Sequence, residues 1–231
     1  MKMKQTILYF IAGLFLLTGC AQEELSLTGS NQVGYLTVED LTLLQAEQIS
    51  VGSRAVDADL YVEITDAKAT TTYNPGKVPA KIELAAGTCT VKAYNAAYKD
   101  NTTNAAKYYA ETTVEIKEGK VEYLSLEVPM VNYGVTLSLP DNFSHWFSDY
   151  TFSIGKSAAT ETFSLKEDEV IYFDYQKGDV LSYSLKVTSK EEADGTFTQT
   201  GSYGSDEGKT IESGKIYQII YNWETKALEM N

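Results

Sequence analysis

Apolar and polar residues alternate with a period of two along most of this chain. Leu60, Val62 and Ile64 alternate with Tyr61, Glu63 and Thr65, and Cys89, Val91 and Ala93 share one side of a later run. The same pattern returns in Val135, Leu137 and Leu139, in Tyr150, Phe152 and Ile154, and in Ile171, Phe173 and Tyr175. It returns again in Leu181, Tyr183, Leu185 and Val187, and in the aromatic series Tyr217, Ile219, Tyr221 and Trp223. Alternation of this kind predicts strands with one buried face. Gly34 to Leu44 offers Leu36 and Val38 and then, after a break in phase, Leu41, Leu43 and Leu44. It reads as a first strand, with a short helix around Asp40 to Gln48 as the alternative. Thr70 to Pro79, containing Asn74-Pro75-Gly76, reads as a turn-rich connection. Glu118-Gly119 reads as a hairpin turn into Val121 to Val128, and Ser189 to Gly195 as a hairpin into Thr196 to Tyr203. Glu224 to Ala227 turns the chain into a short last strand carrying Leu228 and Met230. Short strands closely punctuated by turns predict an all-β protein.

Two stretches recur. Ile116-Lys-Glu-Gly-Lys-Val121 and Ile211-Glu-Ser-Gly-Lys-Ile216 share one pattern 95 residues apart. Gly87-Thr-Cys-Thr-Val91 and the segment opening at Gly178 each place a strand after a glycine turn, 91 residues apart. Similar offsets predict two tandem β-sandwich domains, Ig-like or transthyretin-like, at residues 34–130 and 131–231, with the boundary near Pro129 to Tyr133.

The first twenty residues carry a different signal. Lys2 and Lys4 precede an uncharged, mostly apolar run from Ile7 to Leu17, and Leu17-Thr18-Gly19-Cys20 follows directly. That run is shorter than the ~18 residues of a spanning helix, and small residues before a cysteine suit a signal peptidase. Residues 1–19 therefore read as a lipoprotein signal peptide, cut between Gly19 and Cys20. The Cys20 thiol would take a thioether-linked diacylglycerol, and the amine freed by cleavage a further acyl chain; two or more chains anchor stably where one does not. Residues 20–33 are polar and read as the lipidated cysteine and its tether.

Composition narrows the chemistry. Removing residues 1–19 takes away two lysines and leaves 17 basic against 32 acidic residues, a net charge of −15. Such a chain repels nucleic acid and anionic headgroups, so the membrane contact has to come from the lipid. Beyond Cys20 the sole cysteine is Cys89, which excludes an intrachain disulfide in the mature chain and reads as a small core residue. His145 is the single histidine, so a two-histidine metal site is excluded and a Ser-His-Asp arrangement would have to use this residue. Glu191-Glu192 and Asp206-Glu207 fall in polar turns and lack the spacing of a calcium loop. No catalytic set, metal or cofactor is expected. Trp146, Phe147 and Tyr150 cluster beside Asn142 and Asp149, the arrangement of a glycan-stacking site, although aromatic residues in sandwiches also fill cores.

Ala21-Gln-Glu-Glu24 resembles the acidic signal that sends Bacteroidetes lipoproteins to the outer face of the outer membrane. Gly34-Tyr-Leu-Thr-Val, Val62-Glu-Ile-Thr-Asp66, the Pro79 to Val91 segment, Tyr108-Tyr109 and Val114-Glu-Ile-Lys-Glu-Gly resemble a group of Bacteroidetes outer-membrane lipoproteins. These form an uncharacterised two-domain family, a domain of unknown function of fimbrillin-like or adhesin-like character. The resemblance implies a surface-exposed lipoprotein acting by protein interaction, with pilus subunits, or host or bacterial surface proteins or glycans, as partners. Arg54 is the chain's single arginine and follows the first strand. In fimbrillin-type pilins a precursor is cut at an arginine in that place and the vacated groove accepts a neighbour's strand. Arg54 is thus a candidate processing site or an ordinary linker residue. A glycan-binding lipoprotein is the alternative.

Overall fold

The structure is a computed structural model, and it describes residues 32–44, 59–157, 162–167, 169–191, 195–206, 208–222, 224–225 and 227–230. Gly19, Cys20 and Arg54 lie outside these residues, as does Trp223.

The described residues of the first half form seven strands: β1 (Val33–Leu44), β2 (Leu60–Thr65), β3 (Thr70–Tyr73), β4 (Ile82–Ala85), β5 (Gly87–Asn95), β6 (Tyr109–Ile116) and β7 (Val121–Pro129). They form two sheets, in the orders β4-β1-β7 and β3-β2-β5-β6. The inward residues of β2 and β5 meet Leu36, Leu41, Ile82 and Leu84 of the other sheet in one apolar core. Alternation is the cause: every second residue of a pleated strand points to the same face. The phase break in β1 is resolved by a bulge. Its pairing with β7 shifts register between Val38 and Asp40, so Leu36 before the bulge and Leu41 after it both reach the core. An extra strand residue, and not a helix, accounts for the mixed spacing.

The second half contains β8 (Tyr133–Ser138), the one-turn α2 (Phe143–Trp146), β9 (Phe147–Lys156), β10 (Phe163–Ser164), β11 (Val170–Phe173), β12 (Leu181–Ser189), β13 (Thr196–Tyr203), β14 (Ile216–Asn222) and β15 (Ala227–Met230). The first half has a one-turn helix as well, α1 (Ala96–Lys99), at a different place in the strand order, between β5 and β6. The sheet orders are β11-β8-β14-β15 and β10-β9-β12-β13. Strand for strand, β8 to β14 repeat the pairing of β1 to β7, and β15 is an addition at the edge of β14. The second core is built on Tyr133, Phe152, Ile154, Leu181, Leu185 and Ile219 among others. The protein is all-β, built as two sandwiches.

The repeated Ile-x-x-Gly-Lys segments are structurally equivalent. Gly119, at φ +66, donates its N–H to the Val33 carbonyl at 2.8 Å, and Gly214, at φ +77, donates to the Asn132 carbonyl at 2.8 Å. Lys120 O accepts from Tyr35 N at 2.8 Å, and Lys215 O accepts from Gly134 N at 2.9 Å. This corrects the hairpin expected at Glu118-Gly119. The polar groups of the turn are taken by the first strand of the half, so the chain leaves β6 for the opposite sheet and runs parallel to β1. The turn-rich reading of Thr70 to Pro79 is corrected as well. Thr70 to Tyr73 pair with β2, as β-branched residues favour, and the turn is confined to Asn74–Lys77, closed by Lys77 N to Asn74 O at 3.0 Å.

A small polar knot joins the halves. Asn132, 2% exposed, accepts from Lys107 N at 2.9 Å and donates to Ala105 O at 2.8 Å. The Lys107 ammonium, on a side chain 7% exposed, reaches Asn101 Oδ1 and Asp174 Oδ1, each at 2.6 Å. Asn104 Oδ1 accepts from Tyr172 N at 2.9 Å. Asn101 and Asn104 take left-handed backbone angles, φ +49 and +51, which asparagine tolerates better than most residues.

Candidate functional site

β1 is the middle strand of its sheet, yet its two edges are unequally covered. β7 pairs with it from Tyr35 to Leu44, whereas β4 pairs only from Val33 to Leu36. Beyond Leu36 the second edge of β1 faces a shallow cleft of about 210 Å3, lined by Val38, Glu39, Asp40, Leu41, Leu60, Gly76 and Val78. The strand supplies buried Leu36 and Leu41 to the core, with Val38 and Leu43 half-buried beside them. Lys81 Nζ lies 3.6 Å from the Tyr35 ring centroid and holds the strand start from outside. Along this stretch of β1 the second edge is not paired by another described strand, and such an edge offers main-chain groups to an extended segment.

The aromatic cluster of the second half is arranged differently from the stacking site expected. Trp146 is 39% exposed at the end of α2, with His145 edge-on at 5.1 Å. Phe147 turns into the core, against Phe143 at 4.6 Å and Tyr221 at 6.4 Å. It is out of phase with the inward Phe152 and Ile154 of β9, and a register shift between Asp149 and Phe147 in the pairing with β12 brings it to the same face. Tyr150 is half-buried, edge-on to Phe143 at 5.9 Å, and its hydroxyl accepts from Glu167 N at 3.3 Å. The three rings therefore do not form one stacking face. Phe147 and Tyr150 instead line a cleft of about 350 Å3 with Asp141, Asp149 and Glu167 on its walls.

Cys89 is fully buried, and burial, with the Asp66 charge adding, pushes its thiol up to about 11, far from a nucleophile's range. Tyr133 is also fully buried; burial and the Asp179 carboxylate push its hydroxyl well above the usual phenol range. Asp179 itself is paired with Lys156 at 2.8 Å. Among the described residues no group of three His, Cys, Asp or Glu side chains could hold a metal ion. Among them, too, no helix is long and apolar enough to cross a membrane.

Residues 32–229 match the family described as a domain of unknown function, DUF4493. The chain belongs to this family. No curated protein matches the sequence. Among solved structures, this DUF4493 chain is similar to a provisionally named cell adhesion protein from Bacteroides eggerthii DSM 20697, at 12% identity and TM-score 0.48, covering 83% of this chain and 86% of that one. It is also similar to a fimbrilin from Porphyromonas gingivalis W83, at 12% identity and TM-score 0.39, covering 83% and 90%. A fimbrial assembly protein from Parabacteroides distasonis ATCC 8503 is similar at 9% identity and TM-score 0.41, covering 86% and 98%.

One feature of this DUF4493 chain escaped the sequence reading. Tyr61, Tyr94 and Tyr109 occupy one cross-strand row on the outer face of β2, β5 and β6. Each sits at an outward position of its strand, which the alternation shows; that the three are neighbours depends on register, which alternation alone does not set.

Proposed function

We propose that this chain is a lipid-anchored cell-surface protein that works by protein interaction, as a fimbrillin-like subunit or adhesin component, using strand addition at the β1 site. The observation that carries the reading is the position of β1. It is the first strand of its sandwich, lies between β4 and β7, and supplies Leu36 and Leu41 to the core. Arg54 follows it in the sequence. A cut after Arg54 would separate β1 from the rest of the chain covalently, and a strand from a neighbour could then take its place. Such a strand would need apolar residues in the spacing of Leu36, Val38, Leu41 and Leu43, a bulge included. Cys20, once acylated, would hold the precursor at the outer membrane, and the polar tether would lift the sandwiches off it.

The reading is non-enzymatic, because main-chain pairing needs no catalytic side chains. The test is limited digestion of the purified mature chain with an arginine-specific protease, followed by native electrophoresis. The reading expects one cut, after Arg54, and the appearance of oligomers. Resistance to the protease, or a cut chain that stays monomeric, contradicts it.

A further inference from the structure

The outer face of the β3-β2-β5-β6 sheet carries a row of tyrosines at one end. Its cross-strand rows read Tyr61, Tyr94 and Tyr109, then Thr72, Glu63, Lys92 and Glu111, then Thr70, Thr65, Thr90 and Thr113, and then Thr88 with Glu115. These rows contain no aliphatic side chain. At the tyrosine end, α1 places Tyr98 over the row, stacked on Tyr109 at 4.6 Å and 6.0 Å from Tyr94, while Tyr61 and Tyr94 stack at 5.8 Å. Tyr98 is 38% exposed. The rings are held from below: the Tyr94 hydroxyl donates to Glu63, that of Tyr109 to Glu111, and Lys92 donates to Glu63 at 3.0 Å. Asn95 caps α1 through Tyr98 N at 3.0 Å, so the outermost ring rests on an anchored turn.

Rigid tyrosines supply amphipathic contact area at low entropic cost, and rings already held by neighbours lose little freedom on binding. A sugar ring presents axial C–H groups to such a ring and hydroxyls to the carboxylates and threonines beside it. Beside the tyrosine row the face carries carboxylates, hydroxyls and a lysine and no aliphatic side chain, a surface matched to a ligand rich in hydroxyl groups. Three carboxylates, Glu63, Glu111 and Glu115, stand against Lys92 and the nearby Lys99, whose Nζ lies 4.2 Å from the Tyr61 ring centroid. With a chain of net charge −13 around them, this balance disfavours an acidic ligand.

We infer that this face is a binding platform for a polysaccharide without acidic groups, with Tyr98 as the principal stacking residue and Glu63 and Glu111 accepting hydrogen bonds from its hydroxyls. The platform is distinct from the Trp146 region and does not depend on strand exchange. It lies on the sheet opposite to that of β1, so a chain joined to others through β1 would keep it uncovered.

The experiment is affinity electrophoresis of the whole mature chain in gels containing yeast mannan, barley β-glucan or chitohexaose-grafted polymer, with polygalacturonate as the acidic control. At least one neutral polymer should retard the protein. Tyr98→Ala should weaken that retardation about tenfold, as expected for one lost ring contact. Tyr98→Phe should keep most of it, and Trp146→Ala should leave it unchanged. Melting temperatures of the three variants report that each is folded. Absence of retardation by all three neutral polymers would overturn the inference and favour a protein ligand. Retardation that survives Tyr98→Ala, that is abolished by Trp146→Ala, or that is equally strong with polygalacturonate would overturn it too.

Discussion

Replacing Asn132 by alanine should destabilise the protein more than any exposed substitution. Its side chain is almost fully enclosed and makes two hydrogen bonds to main-chain groups of the preceding half, from Lys107 N at 2.9 Å and to Ala105 O at 2.8 Å. Alanine would remove both partners and leave the Lys107 N–H buried without an acceptor. A stranded buried donor costs about 1–3 kcal/mol, and the less enclosed Ala105 carbonyl adds about 0.5–1.5 kcal/mol. The expected loss is therefore about 2–4 kcal/mol, a large share of the ~5–15 kcal/mol that holds a typical domain folded. The assay is urea unfolding followed by fluorescence of Trp146 and Trp223, both in the second half, and by near-ultraviolet dichroism of the tyrosines, which are spread over both halves. Because the knot ties the two cores together, the variant should also lose coincidence between probes reporting on different halves. A midpoint shift equivalent to less than about 0.5 kcal/mol would refute the idea that this asparagine fastens the halves.

Other substitutions test other parts of the account. Asp179→Ala leaves the Lys156 ammonium, on a side chain 20% exposed, without its 2.8 Å partner, and should cost about 2–4 kcal/mol in the same urea assay. Stability should hold from pH 7 to 9 and fall from 9 to 11. The Cys89 thiol is raised from 9.0 to about 11 by burial, and the Tyr133, Tyr183, Tyr217 and Tyr221 hydroxyls are raised by burial as well. The unfolded groups ionise first, so the stability these neutral forms confer is complete below the ordinary pKa and is lost as pH climbs through the folded value. Cys89→Ala should flatten that decline, and the native thiol should resist a maleimide at pH 8 until urea is added.

The second strand, and the buried face of most others, could be read directly from alternation, because Leu60, Val62 and Ile64 have one face to bury and no competing pattern. The first strand was legible down to its break in phase, which the chain realises as the bulge between Val38 and Asp40. What alternation does not encode is which strand a turn delivers the chain to. The Glu118-Gly119 turn looks like a hairpin locally, but Val33 and Tyr35, more than 80 residues upstream, use its polar groups and draw β7 into the other sheet. The repeat of Ile-x-x-Gly-Lys was visible, whereas its meaning, a turn that accepts the first strand of each half, is a tertiary fact. The Tyr61, Tyr94 and Tyr109 row and the Lys107 to Asn132 knot were invisible for the same reason: both are made by register and by contacts between distant segments. Phe147 misled because an aromatic run reads alike whether its rings face the core or solvent, and a register shift at the start of β9, which alternation does not show, decided for the core.

The central claim, that β1 is an exchangeable first strand on a lipid-anchored precursor, is tested most directly by the N-terminus of the protein in polymeric material sheared from intact cells. Sequencing that material, with the unassembled membrane-bound pool analysed beside it by mass spectrometry, should find Ala55 as the first residue of the polymer and an acylated Cys20 in the precursor. A polymer whose chains still begin at Cys20, or a precursor without lipid, would contradict the account.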